Sequence, residues 1–189
     1  MASVAEATHM TTDELLALPE DGIERWLING ELREGAPTIR NRLHSEVLAS
    51  VGYFLKRWNL TQPHPRGRVV GGEAGFRLSR RPDSTVGTDA AYVSAEVMAS
   101  QSEATTLIDG APLLAVEILS PSDTQHDIHE KIALYLNSGV KLVWIIDPDF
   151  LTLTVYEKGS EPVLLNRNDE VSADPHLPGF RLPVGELLE

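Results

Sequence analysis

The sequence predicts an α/β (α+β) fold in which a mixed central sheet is flanked by helices. The first observation is the segment 113–147, which contains a buried strand, a helix and a second buried strand. Such a βαβ unit needs parallel strands and a right-handed crossover. The second observation is the alternation of apolar and polar residues in "LTLTVYEKG", which is typical of an antiparallel hairpin strand. Parallel and antiparallel pairs together predict a mixed sheet.

The N-terminal residues are predicted to form a short helix and a hairpin. Thr11 is placed to cap the helix, and Glu14 follows three residues later, which is the spacing of a capping box. In "IERWLINGELREG", Asn29 and Gly30 favour a two-residue hairpin turn.

A longer helix is predicted over residues 39–58, because apolar residues recur there at helical spacing. The apolar face consists of Leu43, Val47, Val51, Phe54, Leu55 and Trp58. His44 lies along the edge of this face, and "QPHPRG" then ends the helix.

The remaining elements follow from shorter patterns. Strands are predicted around 69–78 and 89–93 and at 113–119 and 140–146, and a helix is predicted at about 126–138, ended by Gly139. Residues 94–112 form a polar segment that includes a short helix. The tail "LPGFRLPVGELLE" is predicted to be a loop with one helical turn.

Composition narrows the class of protein. The chain has 189 residues, 42% hydrophobic and 23% charged, which is ordinary for one globular domain. It has no cysteine, which excludes a disulfide framework and a zinc site with thiolate ligands. It also lacks an apolar run of about 20 residues and the pattern of a signal peptide. We therefore expect a cytoplasmic protein without a membrane-spanning segment.

Charge is distributed unevenly along the chain. The net charge of −12 argues against non-specific binding of nucleic acid. However, residues 25–81 hold eleven of the sixteen Lys and Arg and four acids, so this segment carries +7 and the remainder −19. Two interpretations remain open: one basic face on an acidic body, or arginines scattered over a helix and loops.

Glu117 is the strongest single signal of a functional site. It interrupts the apolar run Leu113 to Leu119, and a buried carboxylate needs a hydrogen-bond donor, a base or a metal ion. One interpretation is a structural Glu satisfied by a nearby Ser, Arg or Lys. The other is a metal site shared with Asp89 at the head of another predicted strand, since carboxylates from neighbouring strands can hold Mg²⁺.

Three further residues are candidates for this site. Lys131 falls beside the apolar face of its helix, so it either reaches the strand that carries Glu117 or forms an exposed pair with Asp127. Glu73, in a glycine-rich strand, is either a third acidic ligand or solvent-facing. His44 either touches phosphate or water or packs within its helix.

The sequence gives little support for other kinds of catalytic or metal-binding site. The sequence contains no G-x-S-x-G elbow, no phosphate-binding G-x-x-x-x-G-K-[ST] loop and no H-E-x-x-H motif. His126 and His129 are spaced i, i+3, but the same stretch offers no obvious third metal ligand.

These motifs together resemble the PD-(D/E)xK nuclease superfamily, and more closely its Uma-two family of restriction endonucleases. The resemblance runs from "MTTDELLALPEDG" through "LINGEL", "LHSEVLASVGYFL", "EAGFRL" and "TDAAYVS" to "VEILSPSDTQHDIHEKIALYLNSGVKLVWIIDP" and "LPGFRLPVGELL". It implies an αβββαβ core within a single restriction-endonuclease-like domain, residues 1–189. Within that domain, 1–38 would be the N-terminal helix and hairpin, 39–147 the nuclease core and 148–189 the C-terminal hairpin and tail.

The resemblance also implies roles for individual residues. Asp89 matches the Asp of the family's P-D pair, with Thr88 in place of proline, and Glu117 matches the acidic residue of the (D/E)xK element. Leu119 stands where the superfamily lysine would stand, and Lys131 in the following helix is interpreted as a migrated lysine. We therefore expect catalysis by Asp89, Glu117 and Lys131, and an Mg²⁺ ion, replaceable by Mn²⁺, bound by Asp89, Glu117 and Glu73.

The implied function is metal-dependent hydrolysis of phosphodiester bonds in DNA by a homodimer. The expected DNA contacts are His44, Arg40, Arg42 and Arg66, within the basic segment. The alternative is a catalytically inactive nuclease fold that binds DNA or has a regulatory role. A third class is an α/β protein in which Glu117 is structural.

Overall fold

The computed structural model describes residues 9–37, 41–102 and 106–188. The helices in these ranges are α1 (Thr12–Leu16), α2 (Arg42–Thr61), α3 (Ala95–Ala99), α4 (Gln125–Asn137) and α5 (Val184–Leu187). The strands are β1 (Ile23–Ile28), β2 (Glu31–Pro37), β3 (Arg68–Ser79), β4 (Ser84–Val93), β5 (Ile108–Asp109), β6 (Leu114–Ile118), β7 (Leu142–Asp147), β8 (Thr152–Glu157), β9 (Val163–Asn166), β10 (Glu170–Ser172) and β11 (Arg181–Pro183).

A large mixed sheet occupies the centre of the described structure. Its strand order is β2-β1-β4-β6-β7-β8-β9, with β3 paired to β4 and β5 paired to β3. β6 and β7 run parallel, from Leu114 opposite Leu142 to Ile118 opposite Ile146, whereas the pairs β4–β6 and β7–β8 are antiparallel. Elements α2, β3, β4, β6, α4 and β7 follow the expected αβββαβ order, with α3 and β5 inserted. The predicted mixed sheet and its parallel βαβ unit are confirmed.

Helices α2 and α4 cover opposite faces of this sheet. Successive residues of a strand face opposite sides, so Val116 of β6 packs in one apolar cluster with Leu55 of α2, and Ala115 packs in a second cluster with Tyr135 of α4. The expected flanking helices are therefore confirmed. None of the helices in the described ranges is long and apolar enough to cross a membrane.

The N-terminal helix and hairpin follow the predicted local signals. Thr11 N–H donates to Glu14 Oε2 at 2.7 Å, and Glu14 N–H donates to Thr11 Oγ1 at 3.3 Å, which confirms the capping box. Asn29 and Gly30 have φ values of 52° and 78°. Positive φ at both positions is what a type I′ hairpin turn requires, and β1 and β2 pair on either side of it.

Helix α2 is shifted and rotated relative to its prediction. It runs from Arg42 to Thr61 rather than over 39–58, and its start is fixed by Asn41, whose side chain accepts a hydrogen bond from His44 N–H. Its buried face includes His44, whereas Leu43, predicted on the apolar face, is 39% exposed. A polar side chain takes the inner position because His44 meets a carboxylate inside the fold.

Strand β4 begins at Ser84, earlier than the predicted start at Asp89. The sequence does not predict polar residues in the buried first half of this strand. Ser84 Oγ accepts a hydrogen bond from Asn29 N–H at 3.0 Å, and Thr85 Oγ1 lies 2.7 Å from Thr12 Oγ1. These hydrogen bonds offset the cost of burying the two hydroxyls.

The C-terminal tail contains the predicted helical turn, α5, and also a two-stranded sheet of β10 and β11 that the sequence analysis does not predict. Each of these strands has three residues, too few for alternation to be recognised. Val171 and Leu182 pair across this small sheet and pack in the same apolar cluster as Trp144. The tail therefore completes the core on the α2 face.

Candidate functional site

Asp89 and Glu117 lie together because β4 and β6 are neighbours in the sheet. Ala90 is opposite Val116 in this antiparallel pair, so the next step along β4 places Asp89 at the end of β6. There Asp89 Oδ2 accepts a hydrogen bond from Ile118 N–H at 2.7 Å. Asp89 is 4% exposed and Glu117 9% exposed. The structure thus brings the two predicted acidic residues to one end of the sheet.

Helix α4 supplies both partners of the Glu117 carboxylate. Lys131 Nζ lies 3.0 Å from Glu117 Oε2, and Tyr135 Oη donates to Glu117 Oε1 at 2.5 Å. Residues four apart on a helix are neighbours on one face, which is why both side chains reach the same group. The alternative exposed pair with Asp127 is not formed, since that carboxylate accepts a hydrogen bond from Thr124 Oγ1.

Tyr135 is a site residue that the sequence analysis places only on the apolar face of its helix. Its ring packs in the core and its hydroxyl, fully buried, also lies 2.9 Å from Thr88 Oγ1. Thr88, which precedes Asp89, therefore joins the same hydrogen-bonded group. The signal that could have revealed Tyr135 is its spacing of four residues from Lys131.

His44 lies behind Asp89 rather than on an exposed surface. Its Nε2 is 3.1 Å from Asp89 Oδ1, and its side chain is 1% exposed. A contact between this imidazole and substrate phosphate, as predicted, does not fit such burial. The other interpretation, a packed helix residue, describes its position, with the addition that it contacts a carboxylate of the site.

Strand β1 of the N-terminal hairpin contributes two residues that the sequence analysis does not predict. Glu24 Oε1 lies 3.5 Å from Lys131 Nζ, and the Trp26 ring centroid is 5.3 Å from the same nitrogen. Residues two apart on a strand share a face, so both side chains point towards α4. Lys131 is therefore held by two carboxylates and the face of an aromatic ring.

A pocket opens onto these groups from solvent. Its lining includes Glu24, Trp26, Asp89, Glu117, Leu119 and Lys131. Leu119 and Lys131 therefore approach one pocket, the first from the end of a strand and the second from a helix. This arrangement agrees with the predicted reach of Lys131 towards Glu117.

Burial and neighbouring charges shift the protonation of the site. Burial raises the pKa of Glu117 to about 7; Lys131 and the Tyr135 hydroxyl oppose this shift, and the Asp89 carboxylate adds to it. Burial disfavours the charged form of Lys131, but the carboxylates of Glu117 and Glu24 outweigh burial and raise its pKa. Burial, followed by the charge on Glu117, raises the pKa of Tyr135. At neutral pH, Lys131 is charged, Tyr135 is a neutral donor and Glu117 titrates.

Glu73 lies near this group on an irregular part of β3. Its φ is 59°, at a bulge where the pairing of β3 with β4 shifts between Gly71 and Ala74. Its carboxylate is close enough to contribute to the raised pKa of Glu117. Among residues 9–37, 41–102 and 106–188, no three His, Asp or Glu side chains are arranged to hold a metal ion. The predicted three-carboxylate set therefore stays a prediction.

The ligand chemistry of the pocket nevertheless fits a divalent cation. Asp89 and Glu117 present carboxylate oxygens to one pocket, and Glu24 adds a third negative group beside Lys131. Mg²⁺ prefers oxygen ligands, and one or two carboxylates with waters commonly suffice to bind it. Burial chiefly raises the pKa of Glu117, and the Asp89 carboxylate adds to the shift; a bound cation would oppose both effects.

The predicted DNA-binding arginines are not brought together. Arg42, at the start of α2, lies 3.0 Å from Glu46, whereas Arg66 follows the end of this helix and its Nε donates to the Gln62 carbonyl at 2.6 Å. A helix of 20 residues separates them, roughly 30 Å at 1.5 Å per residue. Arg40 lies outside the described residues. Other arginines of the basic segment are paired with acids: Arg25, Arg33, Arg77 and Arg80.

Comparison with known proteins gives the family. No curated protein matches the sequence. The structure is similar to a crystal structure described as "a putative nuclease belonging to DUF820" from Anabaena variabilis, with a TM-score of 0.80, 22% sequence identity, and coverage of 95% of this chain and 97% of that one. At this identity the likeness establishes the fold. The profile of the Uma2 family, described as "Putative restriction endonuclease", matches residues 12–185. The chain therefore belongs to the Uma2 family.

Proposed function

We propose that this protein is a metal-dependent DNA endonuclease that uses Asp89, Glu117 and Lys131. The observation that carries the proposal is the Lys131 ammonium, which reaches within 3.0 Å of Glu117 from α4 and lines the same pocket as Leu119. Two carboxylates and an ammonium in one pocket are the groups that hydrolysis of a phosphodiester needs. Membership of the Uma2 family supports the same reaction.

Each side chain has a distinct role in this proposal. Mg²⁺ held by Asp89 and Glu117, with Mn²⁺ as a substitute, would neutralise phosphate charge and lower the pKa of a bound water. Lys131 orients the attacking water or stabilises negative charge that develops on the phosphate. Tyr135 and the Ile118 N–H each fix one oxygen of the two carboxylates, which keeps both groups in place for the reaction.

Cleavage of supercoiled plasmid tests the proposal. The wild-type protein should nick or linearise the plasmid with Mg²⁺ or Mn²⁺ and not with EDTA. Asp89→Asn and Glu117→Gln should each abolish cleavage while circular dichroism shows a folded chain. Absence of cleavage by the wild-type protein with either metal would contradict the proposal.

Thermal unfolding tests the metal site separately. Millimolar Mn²⁺ should raise the Tm of the wild-type protein, because a ligand that binds the native state stabilises it by mass action. The Asp89→Asn/Glu117→Gln variant should lose this shift, whereas His126→Gln/His129→Gln, a matched control on α4, should keep it. A shift that persists in the first variant and disappears in the second would place the ion at the histidines.

The alternative function is a catalytically inactive nuclease fold that binds DNA or has a regulatory role. The observation that favours it is Leu119, an apolar side chain in the pocket at the position of the superfamily lysine. Tight binding of DNA without cleavage, under every divalent metal tested, would select this alternative.

A further inference from the structure

A groove runs between α2 and β3, on the face of the sheet that α2 covers. Its outer part is lined by Lys56, Asn59, Leu60, His64, Arg66 and Arg68. Lys56 also lines an adjoining hollow beside Gly52, Gly71 and Gly72, which forms the inner part. We call this surface the α2–β3 groove. None of the described residues that line it is acidic, although the whole chain carries a net charge of −12.

Glycines determine the shape of the α2–β3 groove. A Cβ atom on Gly67 would lie against the Val93 carbonyl oxygen and 2.6 Å from Tyr92 Oη. Glycine therefore allows a close backbone approach between Arg66 and Arg68, its two neighbours in the chain. Gly72 has φ of 78°, a left-handed conformation that favours glycine, and no atom lies within 4 Å of its ideal Cβ position. The inner part of the groove consequently stays open.

The cations of the groove lack the acidic partners that six arginines have elsewhere in the fold. In the described part of the chain, no carboxylate forms an ion pair with Lys56, Arg66 or Arg68, whereas the six paired arginines are Arg25, Arg33, Arg42, Arg77, Arg80 and Arg181. Three cations that line one pocket repel each other, so an anion bound between them is favoured.

Asn59 gives the groove a second polar feature. The side chain is 4% exposed, and its Nδ2 donates to the Gly67 carbonyl at 3.1 Å. Its Oδ1 has no hydrogen-bond donor within residues 9–37, 41–102 and 106–188. A buried acceptor without a donor is costly, and a ligand or water that donates a hydrogen bond there would satisfy it.

The cations of the α2–β3 groove lie away from the carboxylates of the candidate site, whereas its inner part extends to Ala90, the neighbour of Asp89. His44, in the first turn of α2, contacts Asp89. Lys56 follows twelve residues later, which is ~18 Å along the helix at 1.5 Å per residue. Arg68 pairs with Val93, at the end of β4 that lies away from Asp89. Both elements place Lys56 and Arg68 towards the opposite end of the sheet from Asp89.

We propose that the α2–β3 groove binds the phosphate backbone of a nucleic acid at a second site. Lys56, Arg66 and Arg68 supply charge for phosphates, and the open inner part of the groove leaves room for the strand to continue. The choice of nucleic acid as the ligand rests on the proposed function, whereas binding in the groove does not require cleavage.

Binding of a short fluorescent DNA duplex in EDTA tests the inference without cleavage. Lys56→Gln/Arg66→Gln/Arg68→Gln should weaken binding by roughly tenfold or more and reduce the slope of log K against log salt by about 2.7, since each phosphate contact contributes about 0.9. The matched control is Lys141→Gln/Lys158→Gln/Arg167→Gln, which removes the same charge from exposed residues outside the groove. This control should bind DNA nearly as well as the wild-type protein.

Four outcomes would overturn the inference. Equal weakening in both triple variants would make the effect one of net charge. Unchanged binding in the groove variant, or no binding by the wild-type protein at low salt in EDTA, would remove the second site. Displacement of the duplex by pyrophosphate at the same concentration for every duplex length would indicate a small-anion site. If any of these results is found and the protein still cleaves plasmid, only the inference about the groove is contradicted. If the groove variant binds DNA less tightly but the wild-type protein does not cleave, only the proposed nuclease activity is contradicted.

Discussion

Lys131 projects into the same pocket that a lysine at the position of Leu119 would reach. Leu119 stands two residues after Glu117, where a side chain points to the same face, and Lys131 lines the same pocket from α4. We expect Lys131→Ala to abolish plasmid cleavage, because it removes a charge at the reacting group. The Mn²⁺-induced rise in Tm should remain, since both carboxylates are retained and the bound cation can neutralise them in place of the ammonium.

A second substitution sharpens this test. Adding Leu119→Lys to Lys131→Ala should restore part of the cleavage, limited by the room for a lysine in a packed site. Lys141→Ala, at an exposed lysine just after α4, is the matched control and should cleave normally. Equal cleavage by the wild-type protein and Lys131→Ala would reject the migrated lysine. If the wild-type protein is inactive and Leu119→Lys alone gains activity, the chain is a decayed nuclease.

Glu117 predicts a specific dependence of stability on pH. Its pKa is raised from an ordinary value of 4.5 to about 7 in the folded state, so the folded state binds its proton more tightly than the unfolded state does. Its contribution to stability is therefore largest at a pH below its pKa in the unfolded state, and this contribution is lost as the pH rises through about 7. The loss approaches roughly 3 kcal/mol at 1.36 kcal/mol per pKa unit.

Glu117→Gln removes this titration. Between about pH 4 and about pH 8, the free energy of unfolding of the variant should rise relative to wild type by up to about 3 kcal/mol. Urea denaturation at the two pH values, without divalent metal, measures the difference. A difference between the two proteins that is the same at both pH values would show that Glu117 is not the titrating group.

At the scale of elements, local sequence patterns predict a helix or strand correctly when its own apolar residues determine which side is buried. The β6–α4–β7 unit is predicted to within a residue or two, because both strands are apolar on both faces and Gly139, with φ of 99°, ends the helix. The buried face of α2 is not predicted well. His44 is inside because it meets Asp89, a contact between residues far apart in the sequence, which hydrophobic periodicity does not detect.

The same distinction applies to the elements that build the site. Asp89, Glu117 and Lys131 stand out as charged residues in or beside apolar patterns, and the structure brings them to one pocket. Glu24 and Trp26 read as ordinary residues of a hairpin strand. They reach Lys131 because β1 pairs with β4 in the sheet, and the sequence of the hairpin alone does not show that pairing.

At the scale of the molecule, clustering of charge along the sequence differs from clustering in space. Residues 25–81 carry a net charge of +7, yet several of their arginines are paired with acids from other segments, such as Arg33 with Glu130 and Arg77 with Asp109. The positive charge that remains unpaired near the end of α2 is concentrated in the α2–β3 groove. Fold position, rather than sequence position, therefore determines where the protein can bind an anion.

Assembly is the last prediction at this scale. Cutting both strands of a duplex is simplest with two active sites related by a two-fold axis, so we expect a homodimer. β9 forms one edge of the large sheet, and its Val163 and Leu164 are 53% and 66% exposed. An apolar edge strand is suited to pairing with a second copy.

Sedimentation at tens of micromolar, about the range where weak dimers persist, should show a dimer that Leu164→Lys converts to monomer. Monomer alone for the wild-type protein, with and without DNA, would contradict the prediction, and a dimer that survives Leu164→Lys would place the interface on another surface.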